Sequence, residues 1–140
     1  MPLLEISNVT YKYPSATANA LIQINLTVEP GARFGLFGPN GAGKTTLIQL
    51  LTGFETLQSG NISCFGLDQT LHKQFRAKIG FVPQDLAFYQ ELNAFENLEF
   101  FGAWSGLNRQ TIHARSKELL EILGLTEAAK KQAKTYSGGM

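Results

Sequence analysis

From residue 3 to residue 13 the chain reads LLEISNVTYKY, a loose alternation of apolar and polar positions, and residues 21–28, LIQINLTV, alternate cleanly. Successive side chains of a strand point to opposite faces, so both segments predict half-buried strands, with PSATANA as the loop between them. Pro30-Gly31 predicts a turn into ARFGLF, an apolar run expected to form a short buried strand. TTLIQLLTG predicts an apolar helix that stops at Gly53. SGNISCFG, residues 59–66, is expected as another strand, QTLHKQFRAK as a short helix and IGFVP as a third buried strand. From residue 92 the texture turns helical. Phe95, Leu98, Phe101 and Trp104 fall on one face of a predicted helix, and Ile112, Leu119, Leu120 and Leu123 mark a second stripe that ends at Gly124. Thr126 before Glu-Ala-Ala predicts the N-cap of a third, shorter helix. The layout is a mixed α/β first part, residues 1–91, followed by a helical part, residues 92–140.

The length of 140 residues suits one domain with a sizeable apolar core, and 44% hydrophobic with 16% charged residues argues against long disordered tracts. Twelve Lys and Arg are scattered among eleven acids, which argues against a nucleic-acid-coating surface. The single Cys64, expected on a strand, has no internal disulfide partner, which points to a reducing compartment. No segment approaches the roughly 18 apolar residues that span a bilayer, so any work at a membrane requires another chain to do the spanning.

The strongest chemical signal is GPNGAGKT, Gly38 to Thr45, which fits G-x-x-x-x-G-K-[ST] and sits between an expected strand and an expected helix. Gly38, Pro39, Asn40, Gly41, Ala42 and Gly43 form a loop whose glycines let backbone N–H groups wrap closely around polyphosphate oxygens, with the helix N-terminus adding positive potential. Lys44 places a point charge near the β- and γ-phosphates. Thr45 offers a hydroxyl to Mg²⁺, and Thr46 a donor to the α-phosphate. This loop alone indicates a nucleoside triphosphate without choosing among P-loop families.

Three further groups of residues choose. Gln84 follows the apolar IGFVP run, Ser137-Gly138-Gly139-Met140 ends the sequence, and Tyr13 closes the first strand. With GPNGAGKTT as the Walker A loop, Gln84 as the Q-loop residue, SGGM as the signature and Tyr13 as the A-loop aromatic, the chain resembles the ATP-binding cassette (ABC) ATPases from Leu3 to Met140. The resemblance implies an α/β P-loop core with an N-terminal antiparallel β subdomain and the beginning of an α-helical subdomain, incomplete at the C-terminus. It implies ATP and Mg²⁺ as cofactors, with Thr45 and Gln84 toward the metal, and Lys44 and Gln84 as the catalytic-site residues present. It implies Tyr13 stacked on adenine, a role for which Tyr11, two residues away, competes. Ser137, Gly138 and Gly139 are implied to act in trans on the γ-phosphate held by a second cassette paired head to tail. Residues 85–102, DLAFYQELNAFENLEFFG, resemble most closely the cassettes of drug, lipid or polysaccharide exporters, and imply docking to a separate permease; Phe88, Tyr89 and Leu92 could equally pack inside the helical subdomain. The location implied is the cytoplasmic face of the cell membrane.

The resemblance stops short of the family's later motifs. Asp68 and Asp85 are the only aspartates, and neither stands where the Walker B Asp or the following catalytic Glu belongs. His72 and His113 are read as surface positions on helices, and neither is the switch His. The 140 residues alone are therefore expected to hydrolyse ATP negligibly, and to leave a buried-type sheet edge unpaired. The reading is the ATPase subunit of a transporter; a soluble relative acting on ribosomes or DNA and an inert nucleotide-holding fragment are the alternatives.

Overall fold

The computed structural model describes residues 1–68, 72–85 and 87–140, with the side chains of His72 and Lys73 outside the description. Two compact units emerge, Met1–Phe81 and Val82–Met140.

The first unit is built on a four-stranded sheet of order β2-β1-β3-β4, antiparallel throughout. Its strands are β1 (Leu4–Tyr11), β2 (Leu21–Val28), β3 (Ser59–Cys64) and β4 (Leu67–Asp68). In β1, Ile6 and Val9 are both buried although their spacing would put them on opposite faces of a regular strand. A register shift between them, with Asn8 at a φ of 52°, inserts the extra residue that returns Val9 to the core side. Asn8, taken out of the ladder, donates its N–H to Asn25 Oδ1 at 2.9 Å instead. Helix α1 (Lys44–Thr52) contributes Leu47 and Leu50, and α2 (His72–Arg76) contributes Phe75, to a core shared with Ile6, Val9, Tyr11, Leu21 and Ile62. The expected helix over residues 69–78 thus has its central turn in α2, while Gln69–Leu71 lie outside the described residues.

Three expectations for this unit change. Residues 59–66 do not form one strand: Phe65 and Gly66, with φ of 51° and 71°, make a two-residue turn that reverses the chain into β4. ARFGLF and IGFVP are not strands among the described residues. An apolar run supplies a face to bury, yet a strand also needs a neighbour for its backbone groups, and neither run has one here. Phe37 is accordingly 92% exposed and Val82 91%.

In the second unit, α3 (Ala94–Trp104) opens with a capping box: Asn93 Oδ1 accepts from Glu96 N at 2.9 Å, and Glu96 Oε2 accepts from Asn93 N at 2.8 Å. The predicted stripe is not what α3 buries. Phe101 and Trp104 are 42% and 82% exposed, and the helix's buried residue is Asn97. The Asn97 amide oxygen accepts from Tyr89 N at 2.8 Å, and its nitrogen donates to Tyr89 O at 2.9 Å and Asn93 O at 3.0 Å, so a polar side chain is the clasp between helix and preceding loop. In α4 (Arg109–Ile122), Ile112, Ser116 and Leu120 are buried, whereas Leu119 and Leu123 of the expected stripe are exposed. Gly102 of α3 lies so close to α4 that a Cβ there would stand 2.9 Å from Ile112 Cγ1. The helix expected at Thr126 is instead a run of turns held by i→i+3 bonds such as Ala128 N to Leu125 O. The chain then pairs back on the loop before α3: Ala133 N donates to Leu92 O and Lys134 N to Gln90 O, each at 2.9 Å, with an isolated bridge between Asn93 and Gln132. These bonds and the Asn97 clasp place residues 88–92 with the helical unit, so the division by packing precedes the change of texture near residue 92.

Candidate functional site

The loop Gly38–Gly43 leads directly into α1, and Gly43 is the hinge of that arrangement. Its φ is 86°, and a Cβ at this position would stand 2.6 Å from Ala20 O and 2.7 Å from Leu21 Cδ2. Only glycine satisfies both the left-handed backbone and the close approach to the start of β2. Gly41 takes a similar φ of 82° with nothing within 4 Å of a Cβ. Ala42 N donates to Pro39 O at 3.2 Å, closing a turn whose Pro39 and exposed Asn40 form the outer rim. No side chain caps α1, whose N-cap is Gly43 itself, so the N–H groups of the first turn have no capping acceptor. Lys44 folds over the loop and donates from Nζ to Gly38 O and to Pro39 O, both at 2.7 Å. Thr45 is exposed at the first turn and Thr46 is buried.

Tyr13 is brought to this turn although it is 33 residues away in sequence. Gln58 extends the sheet past the end of β1 by accepting from Lys12 N and donating to Lys12 O, both at 2.8 Å. The Tyr13 hydroxyl then lies 3.0 Å from Thr46 Oγ1 and donates to Gln49 Oε1 at 2.8 Å. Gln49 was not among the residues singled out from the sequence. The signal for it is its place one turn after Thr46, at i+3, as the one polar side chain among the apolar residues Leu47 to Leu51 of α1.

Tyr11 is placed differently. Its ring is 2% exposed within the core, meets Tyr13 edge to face at 5.0 Å and 86°, and its hydroxyl donates to Glu55 Oε2. The hydrogen bond to Glu55, followed by burial, pushes the Tyr11 phenol up to about 12 from 10.0. The folded chain holds this proton more tightly than the unfolded chain. The stability linked to it is therefore complete below pH 10 and declines as pH rises toward 12. Urea unfolding of the full chain across that range should show the decline, and Tyr11→Phe should flatten it; an unchanged slope would reject the assignment.

Gln84 and the Ser137-Gly138-Gly139 segment belong to the second unit. Gln84 is exposed in a bend beside Asp85. Ser137, Gly138 and Gly139 form an exposed turn closed by Met140 N donating to Ser137 O at 3.0 Å, and Tyr136 anchors its start by donating from its hydroxyl to Ala128 O at 2.7 Å. Within residues 85–102, Leu86 lies outside the described residues. Tyr89, Phe100 and Phe101 make mutual ring contacts and Phe100 also meets Trp104, an aromatic group of which every member is at least partly exposed. Next to it a 240 Å³ cleft is lined by Phe88, Leu98, Phe101, Leu120 and Tyr136 among others. Exposed His113 lies edge-on to Phe95. Among the described residues no group of three or more His, Cys, Asp or Glu could hold a metal ion, and no helix is long and apolar enough to cross a membrane.

Comparison with known proteins agrees on one family. The profile described as ABC transporter matches residues 21–140. The chain is 41% identical to the linearmycin resistance ATP-binding protein LnrL of Bacillus subtilis (strain 168), over 99% of this chain and 44% of that protein. It is 37% identical to Nod factor export ATP-binding protein I of Cupriavidus metallidurans, over 99% of this chain and 45% of that one. Among solved structures, cbiO1 from Clostridium perfringens, described as part of the ABC transporter complex cbiONQ, superposes with a TM-score of 0.85 at 25% identity, over 97% of this chain and 56% of that one. The chain thus spans less than half the length of these two curated relatives. With the loop, the helix it opens, the antiparallel sheet and the helical unit all in place, the chain belongs to the ABC transporter family of ATP-binding proteins.

Proposed function

We propose that the loop Gly38–Thr46 binds the phosphates of ATP, and that the protein is the ATP-binding and ATP-hydrolysing subunit of an ABC exporter, acting on a separate permease at the cytoplasmic face of the membrane. The observation that carries this reading is the turn itself: left-handed glycines at 41 and 43, an uncapped helix start, and Lys44 folded onto the loop's own carbonyls. Those features leave N–H donors without side-chain caps and a positive charge along one short stretch of backbone, as a phosphate site requires. Tyr13, half-buried beside Thr46, is the adenine stacker in this reading, because Tyr11 is committed to the core.

Mg²⁺ is the ion in this reading, with Thr45 of the first unit and Gln84 of the second each taken separately as a donor. The exposed Thr45 hydroxyl and Gln84 amide are hard oxygen ligands, and this ion is held largely by nucleotide phosphates and water, with only one or two protein groups. When bound it would neutralise charge on the phosphates. Ser137, Gly138 and Gly139 would meet the γ-phosphate of a second cassette, and the aromatic group from Tyr89 to Trp104 would receive the permease. Residues 1–140 by themselves bind without turnover in this reading, since they include no Walker B Asp and no catalytic Glu.

Calorimetric titration of the full chain with ATP and Mg²⁺ tests the site. Saturable one-to-one binding per chain, with tripolyphosphate as competitor, is expected. Absence of binding at millimolar nucleotide would overturn the proposal.

A further inference from the structure

We infer that Gln49 is a positioning residue for the adenine ring, holding Tyr13 in its stacking place through the phenol and linking that ring to Thr46 by a single shared line of protons. The inference rests on the nucleotide reading above and deepens it.

A phenol has one hydrogen, and the Tyr13 hydroxyl donates it to Gln49 Oε1 at 2.8 Å. The 3.0 Å contact between Tyr13 and Thr46 must therefore run the other way, with Thr46 Oγ1–H donating to the phenol oxygen. Thr46 is 5% exposed, so its hydroxyl has no ready recourse to water. A threonine within a helix ordinarily bonds back to a carbonyl of the preceding turn. Here the side chain bonds across to another element.

Two consequences follow. The far end of the Tyr13 ring is fixed by two bonds to one face of α1, with Tyr11 edge-on at 5.0 Å on the core side, so the ring is held in place before any base arrives. A side chain already ordered loses less freedom on binding, and the affinity gained is the freedom not lost. In addition, Thr46 cannot donate to a phosphate oxygen while it donates to Tyr13. Contact with the α-phosphate then draws on the same proton that steadies the stacking ring, which ties the base end of the nucleotide to its phosphate end within one helical turn. The i, i+3 spacing of Thr46 and Gln49 on α1 is what lets one phenol reach both.

The test compares two ligands in the full chain: ATP, which carries a base, and inorganic tripolyphosphate, which does not. Gln49→Leu keeps the volume and removes the acceptor; Tyr13→Phe keeps the ring and removes the phenol. Each is expected to weaken ATP about three- to tenfold, a part of what aromatic stacking contributes, with no matching loss of tripolyphosphate affinity, since Tyr13→Phe leaves the Thr46 proton free for phosphate. Because both variants break the same line of bonds, the double variant should bind ATP no more than about twofold worse than either single one. Equal losses for ATP and tripolyphosphate would make Gln49 a mere support of the loop and overturn the inference. Unchanged ATP affinity would overturn it, as would fully additive losses in the double variant. If the unsubstituted chain bound neither ligand, the nucleotide reading itself would fall first and this inference with it.

Discussion

Replacing Lys44 with alanine is expected to lower the affinity of the full chain for ATP about a hundredfold while leaving its stability within ~1 kcal/mol. The two halves of this expectation have separate causes. Lys44 Nζ donates to Gly38 O and Pro39 O, but both carbonyls sit on an exposed loop, so water replaces the ammonium when it is removed. Phosphate oxygens held by backbone N–H groups gain far more from a nearby cation, since a charge-assisted bond contributes about 1.5–3 kcal/mol and two orders of magnitude, about 2.7 kcal/mol, correspond to one or two such contacts. Titration with ATP measures the first effect and the urea midpoint the second. A loss of affinity below tenfold, or one matched by a collapse in the midpoint, would show that the loop is a structural turn and not a phosphate cradle.

Gly43→Ala and Gly41→Ala should differ sharply although both glycines have nearly the same φ, 86° and 82°. At Gly41 a methyl group meets nothing within 4 Å, and the cost is the left-handed conformation alone, roughly 1–2 kcal/mol. At Gly43 the same methyl would stand 2.6 Å from Ala20 O and 2.7 Å from Leu21 Cδ2, so overpacking adds about 1–3 kcal/mol and the total reaches about 2–5 kcal/mol. Leu21 is itself a core residue, so the displaced atoms have little room to move. Equilibrium unfolding of both variants checks the difference. Equal destabilisation would mean that the loop does not lie against the start of β2 as described.

The strands β1, β2 and β3 and helix α1 were legible because each pairs a periodic apolar pattern with a local stop, as Gly53 stops α1. What the pattern could not reveal depended on partners. ARFGLF and IGFVP have strand-like composition, but their backbone groups have no neighbouring strand among the described residues. Asn97 was hidden for the opposite reason: a polar residue on α3 reads as solvent-facing until its four polar contacts to Tyr89, Leu92 and Asn93 are seen. The short β4 escaped because Phe65 is an unusual residue for a left-handed turn, where Asn or Gly would have announced the reversal. At the site, the loop was readable as a contiguous string, whereas Gln49 gains its meaning only from Tyr13, which a linear scan does not bring beside α1.

The pairing of Ala133 and Lys134 with Leu92 and Gln90, reinforced by the Lys134–Glu91 ion pair at 2.8 Å, splints the approach to the Ser-Gly-Gly turn onto the same short strip of chain that carries Tyr89. Two stretches of the helical unit more than forty residues apart along the polypeptide are in this way stitched edge to edge, so the exposed Ser-Gly-Gly turn starts from a tethered strip and not from a loose tail.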